Sequence, residues 1–170
     1  MQNSFLNSII KETGNKYATV ASDGIDGSDV VDWTDTGCFA LNALVSGSLY
    51  GGIPSNKITA LAGESATGKT YFALGVCNKF LRDNPDGNIL YFDTESAVTS
   101  EMISDRGIDP TKVGIFPVTT VEEFRHQAIR IVDSYNELTK DQKKPIMIVL
   151  DSLGMLSTEK EMADTADGKL

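Results

Sequence analysis

The sequence predicts an α/β fold with a mainly parallel sheet and flanking helices, preceded by a short N-terminal helical arm. Three observations carry that prediction. From residue 57 onward, apolar runs of strand length alternate with segments of helical period. A glycine-rich loop stands where the first run meets the first helical segment. Two of the runs, through Tyr91-Phe92 and through Ile146-Met147-Ile148-Val149-Leu150, end in an aspartate, Asp93 and Asp151.

The elements are taken in chain order. Phe5, Leu6, Ile9 and Ile10 fall at helical spacing, which predicts a short amphipathic arm. Its apolar stripe either packs on the chain's own core or meets a partner. The Asp-, Gly- and Ser-rich residues 22–29 read as a linker. The domain reading is an arm and linker at 1–35 and a core at 36–170. Residues 57–62 are expected to be a strand. Phe72, Val76 and Phe80, four apart, mark one face of a helix from Lys69 to Arg82. Asn84-Pro85-Asp86-Gly87 supplies a turn. A strand is expected at 88–93, a short helix at 100–106 with Gly107 just past its end, and a strand at 113–118.

Thr120-Val121-Glu122-Glu123 has the spacing of a helix-opening capping box. Val121, Phe124, Ala128, Ile131, Tyr135 and Leu138 then repeat in steps of three and four. The five consecutive apolar residues from Ile146 to Leu150 suit a central parallel strand covered on both faces.

The chain has 170 residues and a formal net charge of -9, from 15 basic and 24 acidic residues. That balance argues against a broad basic surface for nucleic acid. No apolar run approaches the roughly 18 residues of a membrane span, and residues 1–10 lack the pattern of a secretory signal. The expectation is a cytoplasmic protein without a membrane partner. Cys38 and Cys77 have no CxxC spacing and read as reduced, buried thiols. His126 has no Cys or His neighbour at metal-binding spacing.

Gly63-Glu64-Ser65-Ala66-Thr67-Gly68-Lys69-Thr70 matches G-x-x-x-x-G-K-[ST] at every fixed position. The glycines let the backbone curl until successive N–H groups face phosphate oxygens. The helix after the loop adds the positive end of its dipole. A lysine there reaches the β and γ phosphates, and the hydroxyl after it serves Mg²⁺. The pattern therefore points to a nucleotide carrying β and γ phosphates, with Mg²⁺. A phosphate loop needs a second carboxylate for the metal, usually at the end of an apolar strand, and Asp151 fits. Glu95, two residues past the other strand-end acid, is a candidate to orient or deprotonate an attacking water.

Together these residues resemble the RecA/RadA recombinase family, and within it the recombinases of T-even-like phages. The resemblance covers residues 36–165 in one order. Thr36-Gly37, Leu41-Asn42-Ala43-Leu44, Ser46-Gly47 and Gly51-Gly52-Ile53-Pro54 look like that family's lead-in to the phosphate loop. Phe92-Asp93-Thr94-Glu95 looks like its catalytic-glutamate segment, and Leu150-Asp151-Ser152-Leu153-Gly154 like its second nucleotide motif. Between those two motifs, the stretch from Arg106 to Val113 resembles a segment of the phage proteins.

The resemblance implies an ATP-dependent protein that forms a homo-oligomeric filament on single-stranded DNA and promotes strand exchange. Glu95 and Lys69 would be catalytic, and Thr70 and Asp151 would serve the metal. Residues 63–70, Tyr71 and Met102 would contact the nucleotide. Thr99 and Met102 stand where the bacterial proteins carry Asp and Tyr. The arm would pack on a neighbouring subunit. In that family the strand between the phosphate-loop strand and the Asp151 strand comes later in the chain. So do a glutamine that senses the γ-phosphate and two DNA-binding loops. None of these is found before Leu170, so the expectation is a RecA-like core that is truncated, with open sheet edges and little affinity of its own for single-stranded DNA.

Three other readings stand beside this one. A hexameric helicase or clock-type ATPase would share the fold. A small-molecule phosphotransferase would usually begin close to its phosphate loop and carry an arginine-rich lid. A regulator would bind ATP without useful turnover.

Overall fold

The computed structural model describes residues 4–15, 18–25 and 29–169. The chain divides into two compact units, Met1–Leu61 and Ala62–Leu170, and each is built differently.

The first unit begins with helix α1, Ser4–Thr13, none of whose residues is buried. Phe5, Leu6 and Ile9 stay exposed, so the predicted apolar stripe is present on the surface of the helix. The stretch read as a linker contains a 3₁₀ turn, Ala21–Asp23, and its residues 26–28 lie outside the described residues. Strand β1, Trp33–Thr34, pairs antiparallel with β2, Ile53–Pro54, and helix α2, Phe39–Ser46, lies between them in sequence.

Asn42, buried in α2, joins these pieces. Its Oδ1 accepts from the Thr36 backbone N–H (3.0 Å) and hydroxyl (2.6 Å), and its Nδ2 donates to Asp35 Oδ1 (2.8 Å) and the Leu49 carbonyl (3.1 Å). All four contacts suit a primary amide, which donates at one end and accepts at the other. Gly52 must be glycine: its φ is +137°, and a Cβ there would lie 2.1 Å from the Thr34 carbonyl oxygen.

The second unit runs α3 (Lys69–Asp83), β3 (Asn88–Asp93), α4 (Ser100–Asp105), β4 (Val113–Pro117), α5 (Val121–Glu137), β5 (Ile146–Asp151) and α6 (Glu159–Ala166). The three strands form a parallel sheet in the order β4-β3-β5. Alternation along β3 sorts the two faces. Ile89 and Tyr91 pack with Leu74, Cys77, Phe80 and Leu81 of α3 and with Ile103 of α4. Phe92, on the other face, stacks on Phe116 of β4 at 5.1 Å and meets Phe124 of α5 edge-on at 4.9 Å. A mixed α/β fold with a parallel sheet and helices on its faces is what the sequence predicted, and it is compatible with part of a RecA-like core.

The helix ends obey their caps. The Thr120 side chain accepts from the Glu123 N–H, while Glu123 Oε2 accepts from the N–H of Thr119, one residue outside the reciprocal position. Gly107 lies just past α4 at φ +68°. Helix α6 was not predicted, although Thr158 and Glu161 form a complete capping box before it.

Three expectations are corrected. Cys77 is buried in α3, but Cys38 is exposed, because it stands at the N-cap of α2 rather than on a packed face. Residues 57–62 do not form a strand; Lys57 lies at a bend, the rest are irregular and all are exposed, because no strand among the described residues pairs with them. The run from Ile146 to Leu150 is a strand but not the central one. β3 is central, and β5 has one neighbour among the described residues, which leaves Ile148 40% exposed. A strand's own residues set its length and faces, whereas its place in a sheet is set by its neighbours.

Candidate nucleotide site

Residues 63–70 curl into the N-terminus of α3. Ala66 (φ +61°) and Gly68 (φ +88°, the residue capping α3) take left-handed conformations that turn the chain back on itself. The Thr67 hydroxyl donates to the Glu64 carbonyl (2.8 Å) and fastens the curl. The Lys69 ammonium folds over the loop and donates to the carbonyls of Gly63 (3.0 Å) and Glu64 (2.7 Å). A compact cation therefore sits over a loop at the positive end of a helix, an arrangement suited to an anion of several charges.

The sheet brings the distant acids to this loop. Asp93 and Asp151 stand side by side at the ends of β3 and β5. The Thr70 hydroxyl donates to Asp151 Oδ2 at 2.6 Å, closing a contact between residues 81 apart in the chain. The Tyr91 hydroxyl donates to the same oxygen at 2.7 Å. Burial raises the Tyr91 phenol above its ordinary range, and the hydrogen bond to Asp151 raises it further.

Beyond the strand ends, two loops are laced together. The Thr94 N–H donates to the Asp151 carbonyl (2.9 Å), and the Ser152 N–H donates to the Thr94 hydroxyl (2.8 Å). The peptide between Asp151 and Ser152 is cis. The Ser152 hydroxyl donates to Glu95 Oε1 (3.2 Å), which holds an otherwise exposed glutamate beside the end of β5. Asp93, only 4% exposed, anchors the same loop. Its Oδ1 accepts from the N–H groups of Glu95 (3.1 Å) and Ala97 (3.3 Å), and its Oδ2 from that of Val98 (3.1 Å).

The remaining candidates lie on α3 and at α4. Tyr71, 65% exposed, carries the Arg106 guanidinium over its ring at 2.9 Å from the centroid. Met102 is exposed on α4, one turn before Arg106. Thr99 serves α4 as its N-cap, accepting from the Met102 N–H (3.1 Å). The structure thus joins Lys69 to Gly63 and Glu64, Thr70 to Asp151, and Glu95 to Ser152. Tyr91 and Asp93 are the site residues that motif reading missed. The signal for Tyr91 was a lone hydroxyl inside an apolar strand.

No cluster of three or more His, Cys, Asp or Glu forms among the described residues. Thr70 and Asp151 are hard oxygen donors in contact. They suit Mg²⁺, which is commonly held by one or two protein oxygens with phosphates and water completing its shell. No helix is long and apolar enough to cross a membrane among the described residues.

Comparison with known proteins gives two matches. The chain is 31% identical over 130 residues to a recombination and repair protein of Enterobacteria phage T4, covering 76% of this chain and 32% of the phage protein. It is 30% identical over 117 residues to the protein RecA of Malacoplasma penetrans (strain HF-2), covering 69% of this chain and 32% of that protein. The chain therefore spans about a third of the length of these curated relatives. No family model matches it.

Proposed function

From the premise that this chain is a relative of the RecA family, we propose that it carries the ATP-binding part of a DNA recombinase. The activity is that of a DNA-dependent ATPase that assembles with copies of itself on single-stranded DNA and promotes homologous pairing and strand exchange. The observation that carries the proposal is the Thr70–Asp151 contact at 2.6 Å. It brings the phosphate-loop hydroxyl onto a strand-end carboxylate, with Glu95 held on the neighbouring loop.

In this reading the backbone N–H groups of residues 63–70 and the start of α3 hold the triphosphate. Lys69 exchanges the Gly63 and Glu64 carbonyls for the β and γ phosphates. Thr70 and Asp151 hold Mg²⁺, which when bound neutralises charge developing on the phosphates. Glu95 orients the attacking water and accepts its proton as the water oxygen bonds to the γ-phosphorus and the bond from that phosphorus to the β–γ bridging oxygen breaks, with ADP and phosphate as products. The exposed Tyr71 ring and the Met102 side chain flank the base, since both an aromatic face and a thioether pack on a planar ring.

Helix α1, with Phe5 and Ile9 exposed on its apolar stripe, is assigned to a neighbouring subunit. With a net charge of -9 on these residues, the contacts to single-stranded DNA are assigned to the part of the relatives' length that this chain does not span.

The test is ATP hydrolysis by the longest product of the reading frame, with and without single-stranded DNA, beside Lys69→Ala. Turnover that rises sharply with DNA and vanishes in the variant is the expected result. Turnover indifferent to DNA would leave the nucleotide site standing and move the function to another ATPase of this fold or to a regulator.

A further inference from the structure

We infer that Tyr91 is a positioning residue for the Asp151 carboxylate, setting which of its oxygens is offered to a nucleotide-bound divalent cation. The inference rests on the Mg²⁺–nucleotide reading above and extends it to a residue outside the motifs.

Tyr91 is fully buried, with its ring among Leu74, Cys77 and Ile89 on the α3 side of the sheet. A phenylalanine would fill that space without any polar atom to satisfy, and burying a hydroxyl is favourable only when it finds a partner. Here the register supplies one. Tyr91 stands opposite Val149, so Asp151 is its diagonal neighbour on the next strand, a separation that an aromatic side chain can span. The phenol oxygen ends 2.7 Å from Asp151 Oδ2.

The same oxygen accepts from Thr70 at 2.6 Å, whereas Oδ1 accepts no hydrogen bond from the described residues. Two hydroxyls, one from the start of α3 and one from β3, thereby fix the rotation of the carboxylate. Oδ2 is occupied, and Oδ1 is left for a water of the metal shell. Thr70 alone would be a weaker anchor, because it stands on the loop that must also hold phosphate and metal. Tyr91 is set in the core and does not take part in that exchange.

The test is Tyr91→Phe in the full chain, read with a fluorescent ATP analogue. Its dissociation constant is measured in EDTA and across a Mg²⁺ series, with thermal unfolding recorded alongside. The expected result is an EDTA affinity within about twofold of the parent. The Mg²⁺ midpoint should rise roughly five- to tenfold, the size expected for losing one hydrogen bond of typical net strength. The same substitution made in an Asp151→Asn background should not move the Mg²⁺ midpoint further.

A midpoint that stays put in Tyr91→Phe overturns the proposal. So does a loss that is equal with and without Mg²⁺, which would mark the hydroxyl as merely structural. So does a shift that persists at full size in the Asp151→Asn background. If the parent chain binds no nucleotide at all, and Lys69→Ala is indistinguishable from it, the nucleotide reading itself falls and takes this one with it.

Discussion

Asp93 holds the loop that carries Glu95, and removing its carboxylate in two ways separates bonding from packing. The side chain is 4% exposed and accepts three backbone N–H groups, from Glu95, Ala97 and Val98. Asp93→Asn keeps one acceptor oxygen. In its better orientation it still serves Glu95 and Ala97, while an amide N–H group now faces the N–H of Val98. One bond to a charged acceptor is lost, about 1.5–3 kcal/mol. Asp93→Ala leaves all three N–H groups without a protein partner.

Simple addition would give about three times the single-bond figure. The three bonds share one side chain, however, and are not independent, so about 3–5 kcal/mol is the better expectation. Urea unfolding monitored by circular dichroism should show midpoints falling in the order parent, Asn, Ala, with an unchanged slope. Hydrogen exchange should show lost protection at Val98 in the Asn variant and at Glu95, Ala97 and Val98 in the Ala variant. Equal losses below about 1 kcal/mol in both variants, with protection intact at all three amides, would refute the reasoning.

The same structure sets other outcomes. Burial pushes the Cys77 thiol from 9.0 up to about 12; the folded state then keeps a proton that the unfolded chain releases. Stability should therefore be intact below pH 9.0 and decline as pH rises toward about 12. Cys77→Ala should flatten the first part of that decline in alkaline unfolding curves, and a thiol reagent should label exposed Cys38 long before Cys77. Thr120→Ala removes the cap of α5 and should cost about 1 kcal/mol by denaturant unfolding. Gly52→Ala forces a Cβ to within 2.1 Å of the Thr34 carbonyl oxygen. It should unpair β1 from β2 at a cost above about 2 kcal/mol, seen as faster amide exchange at Ser55, whose N–H bonds the Asp32 carbonyl at 2.9 Å.

The chemistry-bearing motifs were legible because their residue types are dictated by the ligand's chemistry. The phosphate loop matches its pattern at every fixed position without knowledge of the fold, whereas Asp151 and Glu95 were candidates only by their place at and just past the ends of apolar runs. Elements with strong periods or caps were equally plain: α5 runs from its Thr120 cap, and α3 from the loop's last glycine. Residues 57–62 misled because a strand is completed by a partner that its own residues do not name. The apolar run in β5 misled for the same reason, since continuous hydrophobicity fits a central strand and here belongs to an edge. In α3 the four-residue steps through Phe72 and Phe80 were visible, but the buried set includes Leu74, Cys77 and Leu81, which complete the face against Ile89 and Tyr91. The roles of Tyr91 and Asp93 were out of reach because each depends on parallel register or on a turn that no spacing announces.

The place of β5 at the rim of its sheet also bears on how the chain behaves in bulk. The side of β5 that has no strand beside it among the described residues offers a row of amide and carbonyl groups, backed by five successive apolar residues from Ile146 to Leu150. Such a rim is a template on which a second molecule's strand can add, and the first such contact invites the next. What opposes it is mutual repulsion between molecules of net charge -9. That protection weakens in high salt and disappears near the isoelectric point of about 4.5, so concentrated, acidified stocks are where this chain should turn from clear solution to ordered precipitate.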